Sequence, residues 1–156
     1  MILGIDPGLA NTGYAVVEEA GCKLIDCGIL KIKNKANRLV AIYEELEKII
    51  KKYSVEVVAV EEIFFAKNAR SAIGVAQAIG VMKVCGLRCG LEVFGYTPLQ
   101  VKMALVGYGR AEKEQVEVMV RNELGLSEPM SPSHAADAAA VALTHLFSKG
   151  RVYNEL

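Results

Sequence analysis

The sequence predicts an α/β fold in which a mixed five-stranded sheet is flanked by helices on both faces. Three observations carry this expectation. Met1, Ile2, Leu3 and Ile5 form an apolar run without polar alternation, and VEVVAV at 55–60 does the same, as central strands buried on both faces do. Pro7 and Gly8 force a tight turn after the first run, so residues 13–17 fold back as the second arm of a hairpin. Between and beyond these runs lie longer segments with apolar residues three and four apart, the spacing of helices that cover a sheet.

Composition bounds the function classes. At 156 residues the chain fits one domain spanning 1–156, with a core that buries about 70% of its unfolded surface. It is 53% hydrophobic with a mean hydropathy of +0.29, which fits a compact globular protein. No apolar run reaches the roughly 18 residues of a membrane span, and no basic leader with a cleavable apolar segment opens the chain, so a cytoplasmic location without membrane attachment is expected. Cys22, Cys27, Cys85 and Cys89 lack paired zinc-site spacing and read as reduced apolar residues. The formal net charge is zero, so any nucleic-acid footprint must be local.

Taken in order, the hairpin is followed by residues 23–33, which add a third antiparallel strand after a turn at Gly21. Asn37 is placed to cap a helix running to Tyr53, with Leu39, Ile42, Tyr43, Leu46, Ile49 and Ile50 on one stripe. The strand at 55–60 stops on Glu61 and Glu62. Parallel pairing with the first strand sets Asp6 and Glu61 at the same sheet edge, where ligand sites in open α/β sheets collect. Strand alternation sends one of Glu61 and Glu62 into that site and the other away, and the residues alone do not choose between them.

IFFAKNAR at 63–70 sets two aromatics beside Lys67, Asn68 and Arg70, a combination suited to stacking on bases and holding phosphate. The bland alternative is core packing of the phenylalanines under a solvated loop. The helix at 71–87 is apolar nearly all round, so it is either central or part of a subunit interface. A strand at 91–96 follows. Thr97 caps and Pro98 opens the next helix, which carries Lys102 and ends near Gly107. In the helix at 111–124, with Val116, Met119, Val120 and Leu124 inward, Lys113 stands in the first turn, against the helix dipole, which a nearby phosphate would explain; the alternative is a solvated lysine beside Glu112 and Glu114. Ser133 is expected to cap the last helix, 134–147. There His134 and Asp137 project three residues apart from the first turn, while His145 complements the C-terminal dipole.

Asp6, Glu61, His134 and Asp137 are therefore the groups expected to converge, the bland alternatives being a turn role for Asp6 and capping roles for His134 and Asp137. Ligands of this kind suit Mg²⁺ or Mn²⁺, and three carboxylates can hold two ions about 3.5–4 Å apart for phosphoryl displacement. Zinc is disfavoured without a cysteine ligand.

GIDPG with TGYAVV, then VEEIFFAKNARSA, VKMALVGYGRAEKEQVEVMV and HAADAAAVALTH, resemble the RuvC family of Holliday junction resolvases in order and spacing across nearly the whole chain. The resemblance implies a ribonuclease-H-like fold. It also implies a homodimer that binds four-way junction DNA and makes symmetric paired nicks in recombination and repair, with RuvA and RuvB as branch-migration partners. By the same resemblance Asp6, Glu61 and Asp137 are metal ligands, Glu61 is chosen over Glu62, and Phe64 wedges against junction bases. Lys102 and Lys113 then act at the scissile region. The family's most familiar pattern has Asp where this chain has His134, and imidazole favours Mn²⁺ over Mg²⁺. The opening GIDPGLANTGYAVV also resembles the phosphate loop of actin-like and sugar-kinase ATPases, but those need two such domains around the nucleotide.

Overall fold

The computed structural model describes residues 1–8, 10–32, 36–62 and 69–148, with residues 69–71 described by their backbone alone. Strand β1 (Ile2–Asp6) pairs antiparallel with β2 (Gly13–Glu18), and β2 pairs antiparallel with β3 (Lys23–Ile29). Helix α1 (Arg38–Lys52) crosses over to β4 (Val57–Glu61), which lies parallel to β1 in the register Ile5↔Val60. Helix α2 (Ala69–Arg88) crosses again to β5 (Glu92–Tyr96), parallel to β4. The sheet order is β3-β2-β1-β4-β5, so the mixed five-stranded sheet expected from the sequence is present.

Strand alternation divides the core. Leu3, Ile5, Val16, Val58 and Val60 face α1 and α2, where Ile42, Leu46, Ile50, Ala78, Met82 and Cys85 meet them. Ile2, Ala15, Val17, Val57 and Ala59 face the opposite layer. That layer comprises α3 (Pro98–Val106), α4 (Lys113–Glu123) and α5 (Ser133–Ser148). Because β1 and β4 are covered on both sides, their sequences read as unbroken apolar runs.

Helix α5 lies directly on the hairpin. A Cβ on Gly4 would stand 2.0 Å from the Ala138 carbonyl oxygen, and one on Gly13 would stand 2.0 Å from that of His134. Only bare Cα atoms admit a helix backbone this close. The alanines from 135 to 142 complete the fit from the helix side, and every one of them is buried.

Several local expectations change. The third strand ends at Ile29 rather than 33, and the next residue, Leu30, donates its N–H to the Thr12 carbonyl at 2.9 Å. Asn37 occupies the N-cap position of α1 but its side chain makes no capping bond. Helix α3 has the expected cap in full: Thr97 Oγ1 accepts from Gln100 N at 3.2 Å, and Gln100 Oε1 accepts from Thr97 N at 2.7 Å. Ser133 is the first residue of α5 rather than a cap before it. His145 stands in the last turn of α5, as expected. It is buried, its Nδ1 lies 2.8 Å from the Tyr96 hydroxyl, and its ring packs on Phe94. Helix α2 is covered on one side only: Ala78, Met82 and Cys85 are buried while Ile73, Val84 and Leu87 are exposed. Among the described residues no helix is long and apolar enough to cross a membrane.

Candidate metal centre

The parallel register fixes the first half of the site. Ile5 pairs with Val60, so Asp6 and Glu61 are the next residues at adjacent strand ends. Glu61 turns to the α5 side, in line with Tyr96, its partner on β5. Glu62 turns to the other face, where its Oε1 receives the Lys83 ammonium of α2 at 2.6 Å. The choice that the residues alone left open is thus made by the pleat.

The glycine contact fixes the second half. Asp6 pairs across the hairpin with Gly13, and Gly13 touches the His134 carbonyl, so the first turn of α5 begins over the end of β1. His134 Nδ1 comes within 2.7 Å of Asp6 Oδ2. One ligand atom from each of Asp6, His134 and Asp137 lies within 4.8 Å of the other two. Lys113, the first residue of α4, donates from Nζ to Asp137 Oδ2 at 2.7 Å. The anion that its position called for is therefore a carboxylate of the cluster.

Crowding shows in the titration of the acids. Burial raises the Asp6 carboxyl above its ordinary value, and the Asp137 charge adds to this, while the bond from His134 opposes it. Glu61 is pushed up to about 7, by burial first and then by the neighbouring charges of Asp6 and Asp137. Lys113 is raised by its bond to Asp137. Carboxylate oxygens of Asp6 and Asp137 and the His134 imidazole converge as a divalent cation requires, and added positive charge would offset the burial and the neighbouring charges that raise Glu61.

Two predicted site groups stand apart from this geometry. Lys102 lies within α3, half-buried, and among the described residues it forms no ion pair with the cluster. Phe64, Lys67 and Asn68 lie outside the described residues, and Arg70 falls in the first turn of α2 with its side chain undescribed. Gly13 was not singled out in the sequence, although an unexplained glycine at a strand start is the signal for a close backbone approach.

A family profile described as crossover junction endodeoxyribonuclease RuvC matches residues 2–145. This chain belongs to the RuvC family of crossover junction endodeoxyribonucleases. The RuvC of Pelotomaculum thermopropionicum is 50% identical over 150 residues, covering 93% of this chain and 92% of that protein. The RuvC of Caldicellulosiruptor saccharolyticus is 45% identical, covering 97% and 95%. Among solved structures, Thermus thermophilus RuvC in complex with Holliday junction substrate superposes with a TM-score of 0.85 at 36% identity, covering 97% of this chain and 95% of that one. The resemblance read from the motifs is therefore established, together with the fold it implied.

Proposed function

We propose that this RuvC-family chain resolves four-way DNA junctions by metal-dependent hydrolysis of a phosphodiester, with Asp6, Glu61, His134 and Asp137 as the ligand set. The observation that carries this reading is the gathering of Asp6, His134 and Asp137 donor atoms within 4.8 Å of one another beside a Glu61 that burial and charge push up to about 7. Asp6, Glu61, His134 and Asp137 would hold Mg²⁺ or Mn²⁺, two ions per site, which would supply an activated water and charge neutralisation at the phosphate.

The chain's own residues account for the rest. Asp6 and Glu61 stand at neighbouring strand ends, so the sheet brings the two carboxylates together before DNA arrives. Asp6 accepts the His134 imidazole, which fixes the ring's orientation. Lys113 bonds Asp137 at the edge of the ligand set and is read as a cation for developing phosphate charge. Lys102, Phe64, Lys67, Asn68 and Arg70 are taken as contacts to the junction on the strength of the motifs that carry them. Two like strands must be cut, so the active species is read as a homodimer with a two-fold pair of sites. The exposed apolar side of α2 is its shared face. RuvA and RuvB, as branch-migration proteins, are the partners this reading supplies with a nuclease.

Cleavage of a synthetic mobile four-way junction with Mg²⁺ or Mn²⁺ tests the reading, with wild type compared to Asp6→Asn and Asp137→Asn. Loss of nicking with retained junction binding is expected in both variants, because removing a ligand disables water activation and leaves the DNA surface in place. Unimpaired nicking by either variant would remove the assignment, and binding without nicking by wild type would make the chain a junction-binding module.

A further inference from the structure

The ion pair between Glu62 and Lys83 lies outside the ligand set, yet it begins one residue from it. We infer that Glu62, Lys83 and Gly95 form a positioning device that sets the direction of the Glu61 carboxylate. The inference rests on the assignment of Glu61 as a ligand made above.

The need for such a device follows from the register. The β1–β4 register ends at Ile5↔Val60, so beyond that pair the backbone of Glu61 is in register with β5 alone, opposite Tyr96, while its side chain meets Asp6 of β1. One more bond, Glu62 N–H to the Tyr96 carbonyl at 2.8 Å, continues that pairing before the chain leaves the sheet. A strand end secured on one side can swing about its own axis. Rotation there redirects Glu61, because adjacent side chains leave the backbone in opposite directions.

The Glu62 side chain opposes that rotation from the other face of the sheet. Gly95 pairs with Val60, and Val60 faces the α2 layer. A Cβ on Gly95 would stand 2.0 Å from Glu62 Oε1 and 2.8 Å from Glu62 Cγ. The carboxylate therefore lies down on the bare Cα of Gly95, and there it meets Lys83 Nζ at 2.6 Å. Two constraints, a glycine-shaped floor and a cation on α2, act on one side chain. Pulling Glu62 onto the α2 face holds Glu61 on the α5 face, where Asp6 and Asp137 are.

Three variants remove the device in different ways. Glu62→Gln removes the negative charge, Lys83→Met removes the positive one, and Gly95→Ala fills the floor while both charges remain. Each is expected to lower kcat for junction nicking about ten-fold, since small displacements of a reacting group cost this much or more. KM and junction affinity should stay near wild type. Mn²⁺ binding to the DNA-free protein, followed by its electron paramagnetic resonance signal, should weaken in all three. The double variant Glu62→Gln/Lys83→Met should lose no more than either single change, because both remove one interaction.

Wild-type kcat and Mn²⁺ binding in the three single variants, or losses that add in the double variant, would overturn the inference. Dissociation of the dimer as the cause of lost activity would do so as well. Glu61→Gln, measured alongside, separates the two levels. Unchanged nicking by Glu61→Gln removes the ligand assignment itself, whereas inactive Glu61→Gln beside unaffected Glu62 and Lys83 variants removes only the positioning role.

Discussion

His134 Nδ1 lies 2.7 Å from Asp6 Oδ2, so the first turn of the last helix closes on the end of the first strand across 128 positions of sequence. The imidazole adds a softer nitrogen donor to a set of carboxylates, and nitrogen ligands discriminate in favour of Mn²⁺ over Mg²⁺. His134→Asp makes the candidate ligand set all-oxygen. The expected outcome is retained nicking with Mg²⁺ and a lower ratio of Mn²⁺-supported to Mg²⁺-supported rate. Parallel rate measurements across a titration of each metal check this, and an unchanged ratio would show that His134 does not select the ion.

Glu61 gives the metal-free protein a pH dependence of defined sign. Its carboxyl is pushed up from an ordinary 4.5 to about 7 in the fold, because burial and the charges of Asp6 and Asp137 disfavour ionisation. Between those values the folded state binds more protons than the unfolded state, so stability falls as pH rises from about 4.5 to about 7. Glu61→Gln should flatten this slope, and Mn²⁺ should offset it by binding the ionised form. Thermal melts in chelator over that range, with and without added metal, are the measurement. A slope that persists in Glu61→Gln assigns it to another group.

Gly13 sets how closely α5 approaches the hairpin. An added Cβ would stand 2.0 Å from the His134 carbonyl oxygen and 2.5 Å from its carbon, both backbone atoms with little room to move. Gly13→Ala should therefore lift the first turn of α5 and cost about 1–3 kcal/mol of stability, the usual range for overpacking. Nicking should fall further than stability does, because His134 and Asp137 ride on that turn. A variant that melts and nicks like wild type would place the strain elsewhere.

The parts of this arrangement that follow from chain periodicity were legible beforehand. Two apolar runs each stopping on an acid placed Asp6 and Glu61 together, since parallel neighbours end at the same edge. The spacing of His134 and Asp137 put them on one helical turn. The sequence was silent where tertiary contacts decide. Nothing local marks His145 as the partner of Tyr96, because β5 and the end of α5 meet only after the sheet forms. Asn37 has the right chemistry for a cap and stands at the right position, yet makes no capping bond. The side of β4 on which Glu61 or Glu62 lies depends on register, and register is a property of pairs of strands.

Helix α2 leaves Ile73, Val84 and Leu87 at 62%, 51% and 61% exposure, on the side turned away from the sheet. The sequence expectation that a nearly all-apolar helix must be covered on most sides is therefore met within this chain on one face only. A second copy placed on the same face by a two-fold axis would bury the rest, because a two-fold contact joins identical patches. Val84→Glu sets two carboxylates against each other in that arrangement while changing a site already open to water in the monomer. Monomer stability should move by no more than about 0.5 kcal/mol, as for ordinary surface changes. In sedimentation equilibrium the variant should run as a monomer. On a supercoiled plasmid bearing an extruded cruciform, nicked circles should accumulate in place of linear product, because one site cuts one strand. An intact Val84→Glu dimer giving linear product would move the shared face away from this part of α2.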